Sequence, residues 1–490
     1  MLYMRKQRVF MAVFTVLLSL FLGKAMAQHV ERQFVVSMPH DSVGKLFAFL
    51  PEPDKASGRA VLACPGGAYS HLSMQNEGTD WAEFFSQQGI AYFVLQYRMP
   101  NGDRTLPVSD AESAMRLIRD SAEVWGVNPY DVGIMGFSAG GHLASTVSTH
   151  AEFDARPNFS ILFYPVITMG KSGQHEGSCA NFLGDERDDE GVAREYSNEL
   201  HVRRHLTPSA AIFLANDDRG VPPVTNGIAY YSAMRNAGNN CSLHVYTHGG
   251  HGFGIRQSFP FHQQMMNELQ VWLSRLKAPR KDAVRVACIG NSITDGSGID
   301  MAENHGYPAQ LQQLLGEGYH VKNFGVGART LLNKGDFPYM NELAWRDALA
   351  FNPHVVVIKL GTNDSKTENW KHQPEFAADY QQMIDSLKAL PSNPRIILAH
   401  PIKAFKDQWT ISDSVIVNEV IPAIDVVARN NHLEVIDLYS AISDPKFILS
   451  DGIHPNEKGA GVIAQQVAEM IKTPYQPYRG IPKKGKWKRK

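Results

Sequence analysis

Cysteine is scarce in this sequence. Its 490 residues hold four, Cys64, Cys179, Cys241 and Cys288. That excludes a disulfide-stapled scaffold, which is short and cysteine-dense. Cys64 and Cys288 lie on apolar runs and read as buried thiols. Cys179 with Cys241 is the one pair to consider as bridged, and the sequence leaves that open. Excess charge is missing too: 48 Lys and Arg face 49 Asp and Glu, for a formal charge of -1. Nothing in that balance calls for a nucleic-acid partner. Zinc spacings such as H-E-x-x-H or paired cysteines are absent despite 19 histidines. His201 and His205, four apart, lack an acid nearby in sequence and read as a surface pair rather than metal ligands. The glycine-rich loops carry no Lys-Ser/Thr phosphate signature, so neither a nucleotide nor any other cofactor is implied. After the first 27 residues no apolar run is long enough to cross a membrane.

What is present begins with a targeting pattern. Arg5, Lys6 and Arg8 precede an apolar stretch from Val9 to Leu22, and Ala25-Met26-Ala27 has the A-x-A form of a cleavage site. Residues 1–27 are expected to be a signal peptide, with the mature chain starting at Gln28. No cysteine stands at the cleavage point, so no lipid anchor is expected to remain, and a periplasmic or secreted protein is implied. Residues 476–490 form a basic tail, Lys483-Lys484-Gly485-Lys486-Trp487-Lys488-Arg489-Lys490 at its end, read as a solvated terminus.

Between these ends the composition is that of an ordinary globular protein, 43% hydrophobic and 20% charged, and the length calls for two domains. Strand-like runs alternate with helical stretches over residues 28–278. The strands are placed at Gly44 to Leu50, Arg59 to Ala63, Ile90 to Tyr97, Val132 to Met135, Phe159 to Val166, Ala211 to Ala215 and Leu243 to Thr247. Thr79 to Gln88 and Asp110 to Trp125 read as amphipathic helices and Phe261 to Leu276 as the closing one. Such alternation builds a mostly parallel α/β sheet covered on both faces. Residues 279–282 form a polar linker. A second alternating series fills 283–475, with strands at Val284 to Ile289, His320 to Phe324, Val355 to Leu360, Ile396 to Ala399 and Glu434 to Leu438. Five strands with intervening helices predict a flavodoxin-like three-layer domain.

Each series carries its own serine, acid and histidine. Gly136-Phe137-Ser138-Ala139-Gly140 is a G-x-S-x-G elbow between a strand and a helix. That turn lifts the serine oxygen clear of the sheet, and side chains at Gly136 and Gly140 would clash across it. Cys64-Pro65-Gly66-Gly67-Ala68-Tyr69 follows an earlier strand, so the N–H groups of Gly67, Ala68 and Ala139 are candidates for an oxyanion hole. Asp218, in Asp217-Asp218-Arg219-Gly220-Val221-Pro222, is the candidate acid, with Asp217 as the alternative, a cap or turn residue. His251, in His248-Gly249-Gly250-His251-Gly252-Phe253, is the candidate base, and His248 reads as a surface residue or one that supports the site without touching the reacting atoms. The chain order Ser, Asp, His is that of an α/β-hydrolase.

In the second series Ser292 follows the first strand, in Gly290-Asn291-Ser292-Ile293-Thr294-Asp295. Asn323-Phe324-Gly325-Val326-Gly327-Ala328, Gly361-Thr362-Asn363-Asp364 and Asp451-Gly452-Ile453-His454-Pro455 follow in order. The D-x-x-H spacing lets Asp451 orient His454 as general base for Ser292.

The first set resembles the α/β-hydrolases, more narrowly secreted sugar esterases of the acetylxylan and feruloyl type. The second resembles the SGNH (GDSL-like) hydrolases. That resemblance implies the N–H of Ala328, or of Gly327 after a one-residue shift, and the side-chain amide of Asn363 as oxyanion donors. Three departures stand out. Ala68 and Ala328 occupy positions where glycine is usual, and Asn291 replaces the usual aspartate. The resemblances imply a bifunctional serine esterase that removes O-acetyl groups from a plant polysaccharide such as xylan, through acyl-enzyme intermediates at two sites, with feruloyl groups left open as a further target. The rivals are a general carboxylesterase, lipase or peptidase, and an esterase whose SGNH half serves as a carbohydrate-binding module. The expected partner is the acylated poly- or oligosaccharide. Oligomeric state is left open.

Overall fold

Along Ala60–Cys64 successive residues serve opposite cores, Ala60, Leu62 and Cys64 one and Val61 and Ala63 the other. Period-two alternation of this kind needs both faces covered, so every position is apolar. The same holds for Val355–Lys359, where Val356 and Ile358 face one core and Val355 and Val357 the other. A computed structural model describes residues 32–38 and 41–480. The expected leader and the basic run from 483 lie outside the described residues.

Thirteen strands form two sheets among the described residues. The first eight are β1 (Gln33–Met38), β2 (Asp41–Phe49), β3 (Ala60–Cys64), β4 (Ala91–Gln96), β5 (Val132–Phe137), β6 (Phe159–Phe163), β7 (Ser209–Ala215) and β8 (Cys241–Tyr246). They lie in the order β1-β2-β4-β3-β5-β6-β7-β8. β2 pairs antiparallel with β1 and β4, and all later pairings are parallel. This is the expected α/β-hydrolase architecture. β1 is the strand missing from the sequence reading, a half-exposed edge strand that pairs with β2 alone. Helices Thr105–Asp120 and Ala139–His150 pack on one face, and Ala82–Gln87 and His262–Arg275 on the other. Phe137, Phe163, Phe213 and His244 stack in one row across β5 to β8, with ring centroids 4.7–5.0 Å apart. The row stiffens the end of the sheet from which Ser138 emerges.

The second sheet is all parallel: β9 (Val284–Gly290), β10 (Tyr319–Gly325), β11 (Val355–Lys359), β12 (Arg395–Ala399) and β13 (Glu434–Ile436), in the order β10-β9-β11-β12-β13. That order is the flavodoxin-like one, and its crevice lies at the carboxyl ends of the strands, beside the switch point where β9 parts β10 from β11. Helices Tyr307–Leu315 and Glu457–Lys472 cover one face, Phe376–Lys388 and Ile421–Asn431 the other.

The two halves are fastened to each other. Arg156 makes a buried ion pair with Asp347 at 2.5 Å. Asn128 donates to the Pro279 carbonyl at 2.7 Å, and Arg285 to the Tyr130 hydroxyl at 3.1 Å. All four cysteines are free thiols, so Cys179 and Cys241 are not bridged.

Candidate active sites

Ser138 sits between β5 and the helix Ala139–His150 with φ 53° and ψ −119°. That is left-handed backbone on a non-glycine residue, a strained conformation concentrated at functional turns. Neighbours over-determine it. A Cβ at Gly136 would meet the Gly140 carbonyl oxygen at 2.2 Å, and one at Gly140 the Cys64 oxygen at 2.0 Å. Both glycines are thus required by close backbone approach, as the motif predicts.

The structure brings Ser138, His251 and Asp218 together. His251 Nε2 is 2.8 Å from Ser138 Oγ, and His251 Nδ1 is 2.7 Å from Asp218 Oδ2. Asp218 Oδ1 accepts the N–H groups of Gly220 and Val221, each at 2.9 Å. A carboxylate so bound fixes the imidazole tautomer, with Nδ1–H donating and Nε2 free to accept the serine proton. Asp217, the alternative acid, turns outward and accepts the N–H of Gly250 at 2.8 Å. That bond holds its carboxyl below the usual range. Asp217 thus anchors the loop that carries His251. His248 is exposed, as expected.

Gly67 and Ala68 follow β3 with φ of 134° and 54°. Among the described residues neither N–H donates to a protein acceptor, as an oxyanion cradle requires. Ala139 opens the helix after Ser138, where the first N–H groups have no partner within the helix. Side chains outside the named candidates hold the cradle. Buried Glu77 accepts the Gly66 N–H at 2.9 Å and the Tyr164 hydroxyl at 2.8 Å. Burial pushes its carboxyl up, against the pull of those two bonds. Asn181 donates to the Ala68 carbonyl at 2.8 Å. Tyr69 hydrogen-bonds His142, whose pKa burial lowers to about 4, so this imidazole stays neutral.

The second site repeats the hydrogen-bond plan on a different frame. His454 Nε2 lies 2.8 Å from Ser292 Oγ, and its Nδ1 lies 2.8 Å from Asp451 Oδ2. Asp451 Oδ1 accepts the N–H groups of Ile453 and His454 at 2.8 and 3.0 Å. Burial pushes the Asp451 carboxyl up, but these bonds outweigh it and leave the pKa lowered. Ser292 itself has ordinary backbone. The left-handed residue is Ala328, at φ 66°, which accounts for the glycine usual there. The N–H groups of both Gly327 and Ala328 are free of protein acceptors among the described residues. Asn363 donates one amide hydrogen to the Arg329 carbonyl at 3.1 Å, leaving the other for a ligand. Buried Asp364 holds this loop from behind through the N–H groups of Leu331 and Leu332, and burial pushes its carboxyl up to about 6.

Two further features were invisible in the motifs. Asn291 Oδ1 accepts the Ile293 N–H, and the fully buried Lys359 reaches toward it at 3.4 Å while donating to Thr362 at 2.9 Å. Burial drives the Lys359 pKa well below normal, and this amine lies under the Ser292 turn. The second feature corrects the reading of His205 as a surface residue. His205 is buried between the halves, donating to Glu303 at 2.6 Å and to the Asp295 carbonyl at 2.8 Å. Its pKa is raised to about 9: burial lowers it, and the two carboxylates, Asp295 and Glu303, overcome that. Beside it Arg204 donates to the carbonyls of Asp295 and Gly296 at 3.3 and 3.1 Å. Two cations of the first half therefore cap the short helix Ser292–Asp295 of the second.

Comparison with known proteins matches both halves. The GDSL-like lipase/acylhydrolase family model covers residues 288–462, and the BD-FAE family model covers 46–226. An acetylxylan esterase of Xylanibacter ruminicola is 54% identical over 472 residues, 92% of this chain and 98% of its own length. Endo-1,4-beta-xylanase B of Butyrivibrio fibrisolvens is 30% identical over 243 residues, 46% of this chain and 37% of that protein. The chain thus spans about a third of that xylanase. Among solved structures, an acetyl ester-xyloside bifunctional hydrolase from Caldicellulosiruptor lactoaceticus aligns with TM-score 0.47 and 27% identity, over 51% of this chain and 98% of that one.

Proposed function

The chain belongs to the family of the Xylanibacter acetylxylan esterase, and from that premise we propose a two-site serine esterase that deacetylates xylan. The proposed units are residues 28–278 and 283–475, exported by the leader 1–27. At each site the histidine Nε2 takes the proton of the serine hydroxyl as its oxygen attacks the ester carbonyl carbon. The carbonyl oxygen becomes an oxyanion, met by the N–H groups of Gly67, Ala68 and Ala139 in the first site. In the second it is met by the N–H of Ala328 or Gly327 and by the Asn363 amide. The tetrahedral intermediate collapses, the sugar oxygen leaves with the proton returned by the histidine, and the acetyl group stays on the serine as an ester. Water, deprotonated by the same histidine, attacks the acyl carbon, the bond to the serine oxygen breaks as the histidine returns the proton to it, and acetate departs. Asp218 and Asp451 hold the tautomer throughout.

One observation carries this reading: both serines have a complete Ser-His-Asp relay, with serine–histidine distances of 2.8 Å in each, within one chain. A carbohydrate-binding module would have no need to keep the second relay. Two sites on different frames suit esters at different sugar positions, or an acetyl and a feruloyl group. The test is acetate and ferulate release from acetylated xylan and feruloylated arabinoxylan by the wild type, Ser138→Ala, Ser292→Ala and the double variant. Each single variant is expected to lose a distinct subset of products. If Ser292→Ala changes nothing, the second site is not an esterase for these substrates.

A further inference from the structure

The side chains flanking the two relays differ in one respect. Among the described residues the exposed large aromatics are Phe337, Trp409 and Tyr475, all in the second half. Trp409 stands next to the base: its ring centroid is 5.6 Å from that of His454, at an interplanar angle of 59°. Yet 53% of its surface is exposed. An indole left open to water forgoes the burial that normally stabilises it.

The backbone holds it there under strain. Trp409 and Thr410 are consecutive left-handed residues, with φ of 52° and 59°. Such non-glycine residues are strained and persist where surrounding structure enforces them. Both flanks of the loop are pinned. Thr410 Oγ1 donates to Glu368 at 2.9 Å, and the Ser412 N–H donates to Ser365 Oγ at 3.2 Å, next to Asn363 and Asp364. Buried Ile411 packs in one cluster with Ile453, the residue between Gly452 and His454. The Phe405 N–H donates to the Gly452 carbonyl at 2.8 Å. The indole is therefore built into the Asp451–His454 turn.

Its position relative to the chemistry selects what it meets. In acyl transfer the base returns its proton to the leaving oxygen, so the alcohol part of an ester lies on the histidine side. The acyl oxygen lies opposite, toward Ala328 and Asn363. Trp409 is on the histidine side. A pyranose ring offers a face of C–H groups that packs on an aromatic plane while its hydroxyls stay in water. We propose that Trp409 is the platform on which the second site seats the xylopyranose ring whose ester it cleaves. This rests on the esterase reading above.

The test uses the full-length Ser138→Ala protein, so that the second site is read alone, with and without Trp409→Ala. Acetylated xylo-oligosaccharides and p-nitrophenyl acetate, which has no sugar, are the substrates. Trp409→Ala is expected to raise KM for the oligosaccharides about tenfold or more with little change in kcat, and to leave p-nitrophenyl acetate nearly unchanged. Trp409→Phe is expected to restore much of the loss. Unchanged KM on both substrates, or an equal loss on both, would overturn the platform. Calorimetry of xylotetraose with Ser292→Ala, with and without Trp409→Ala, gives a readout free of turnover. Binding weakened by the Trp409 change supports the proposal; binding unaffected by it, or no binding at all, overturns it. Failure of the substrate reading looks different: the Ser138→Ala protein with Trp409 intact then releases no acetate from the oligosaccharides, and the calorimetry still decides Trp409.

Discussion

The two halves reach the same four-atom relay by different routes, and the routes place strain and burial differently. In the first half the proposed nucleophile is strained, with Ser138 at φ 53°, while in the second Ser292 is relaxed and Ala328 is left-handed. In the first, the proposed acid and base come from separate loops 33 residues apart; in the second, they share one turn, three apart. The Asp218 side chain is 2% exposed against 24% for Asp451, while the bases reverse that order, 30% for His251 and 11% for His454. A buried acid makes the first relay part of the core. A solvated acid bound to its own turn leaves the second relay nearly local. The common hydrogen-bond plan is thus set by chemistry, and the frame by the fold that supplies it.

The largest test removes the nucleophiles. Ser138→Ala and Ser292→Ala are each expected to cost about 10⁶ in kcat at their own site, leaving the other site's rate intact. Acetate release should fall to background in the double variant alone. Next come the acids. Asp218→Asn and Asp451→Asn should each cost about 10⁴ in kcat, since an amide favours the wrong imidazole tautomer. They should part in stability. At Asp218 the amide loses charge-assisted bonds in a dry setting, for about 2 kcal/mol, against well under about 1 kcal/mol at the solvated Asp451. Denaturant midpoints of the two variants measure that difference; equal losses would break the comparison.

The halves also differ in who supports whom. The cap on the Ser292 helix comes from Arg204 and His205 of the first half, with Asp295 and Glu303 as the facing acids. The folded pKa of His205, about 9, lies above its usual 6.5. Its stabilisation, on the order of 3 kcal/mol, is therefore fully present below pH 6.5 and lost as pH rises through 9. Asp295 and Glu303 are held below their usual values: burial opposes this, but bonds to His205 outweigh it. Their contribution is lost in acid instead. In the Ser138→Ala protein, second-site kcat should fall on going from pH 7 to 10, and the first site, read in Ser292→Ala, should not follow. His205→Gln should flatten that alkaline fall. Parallel alkaline profiles would show that the contact does not couple the halves.

Much of this was legible in sequence because chemistry needs fixed spacings. The elbow's glycines, D-x-x-H and the strand-then-loop placement of each motif follow from backbone close approach and hydrogen-bond reach. The strands buried on both faces were legible as continuous apolar runs. β1 was not, being a half-exposed edge strand that pairs with β2 alone. Cys179 and Cys241 were not, since pairing depends on distance in space. His205 was misread for the same reason: its acids lie 90 and 98 residues further on, across an interface no local pattern encodes. Trp409 and Lys359 have no motif, because an exposed indole beside a histidine or a buried amine needs a place and no spacing.

The smallest test separates strain from function at the two departures from glycine. Ala68 and Ala328 both sit in left-handed backbone. Glycine there relieves a steric cost of about 1–2 kcal/mol but adds freedom to the unfolded chain, so Ala328→Gly and Ala68→Gly should each stabilise by about 0.5–1 kcal/mol. Each keeps its N–H, so the oxyanion donor survives. At Ala328 the next residue is held through its carbonyl by Asn363, and Arg329 also donates to Gly327 and to Glu342. With both neighbours tied, the loop has little room to rearrange, and second-site kcat should stay within about twofold. A large rise in kcat on Ala328→Gly would instead mean that alanine holds the donor off line, making the second site a brake that glycine releases. Thermal midpoint and kcat measured on the same variant distinguish these outcomes, because relief of strain alone moves the first and not the second.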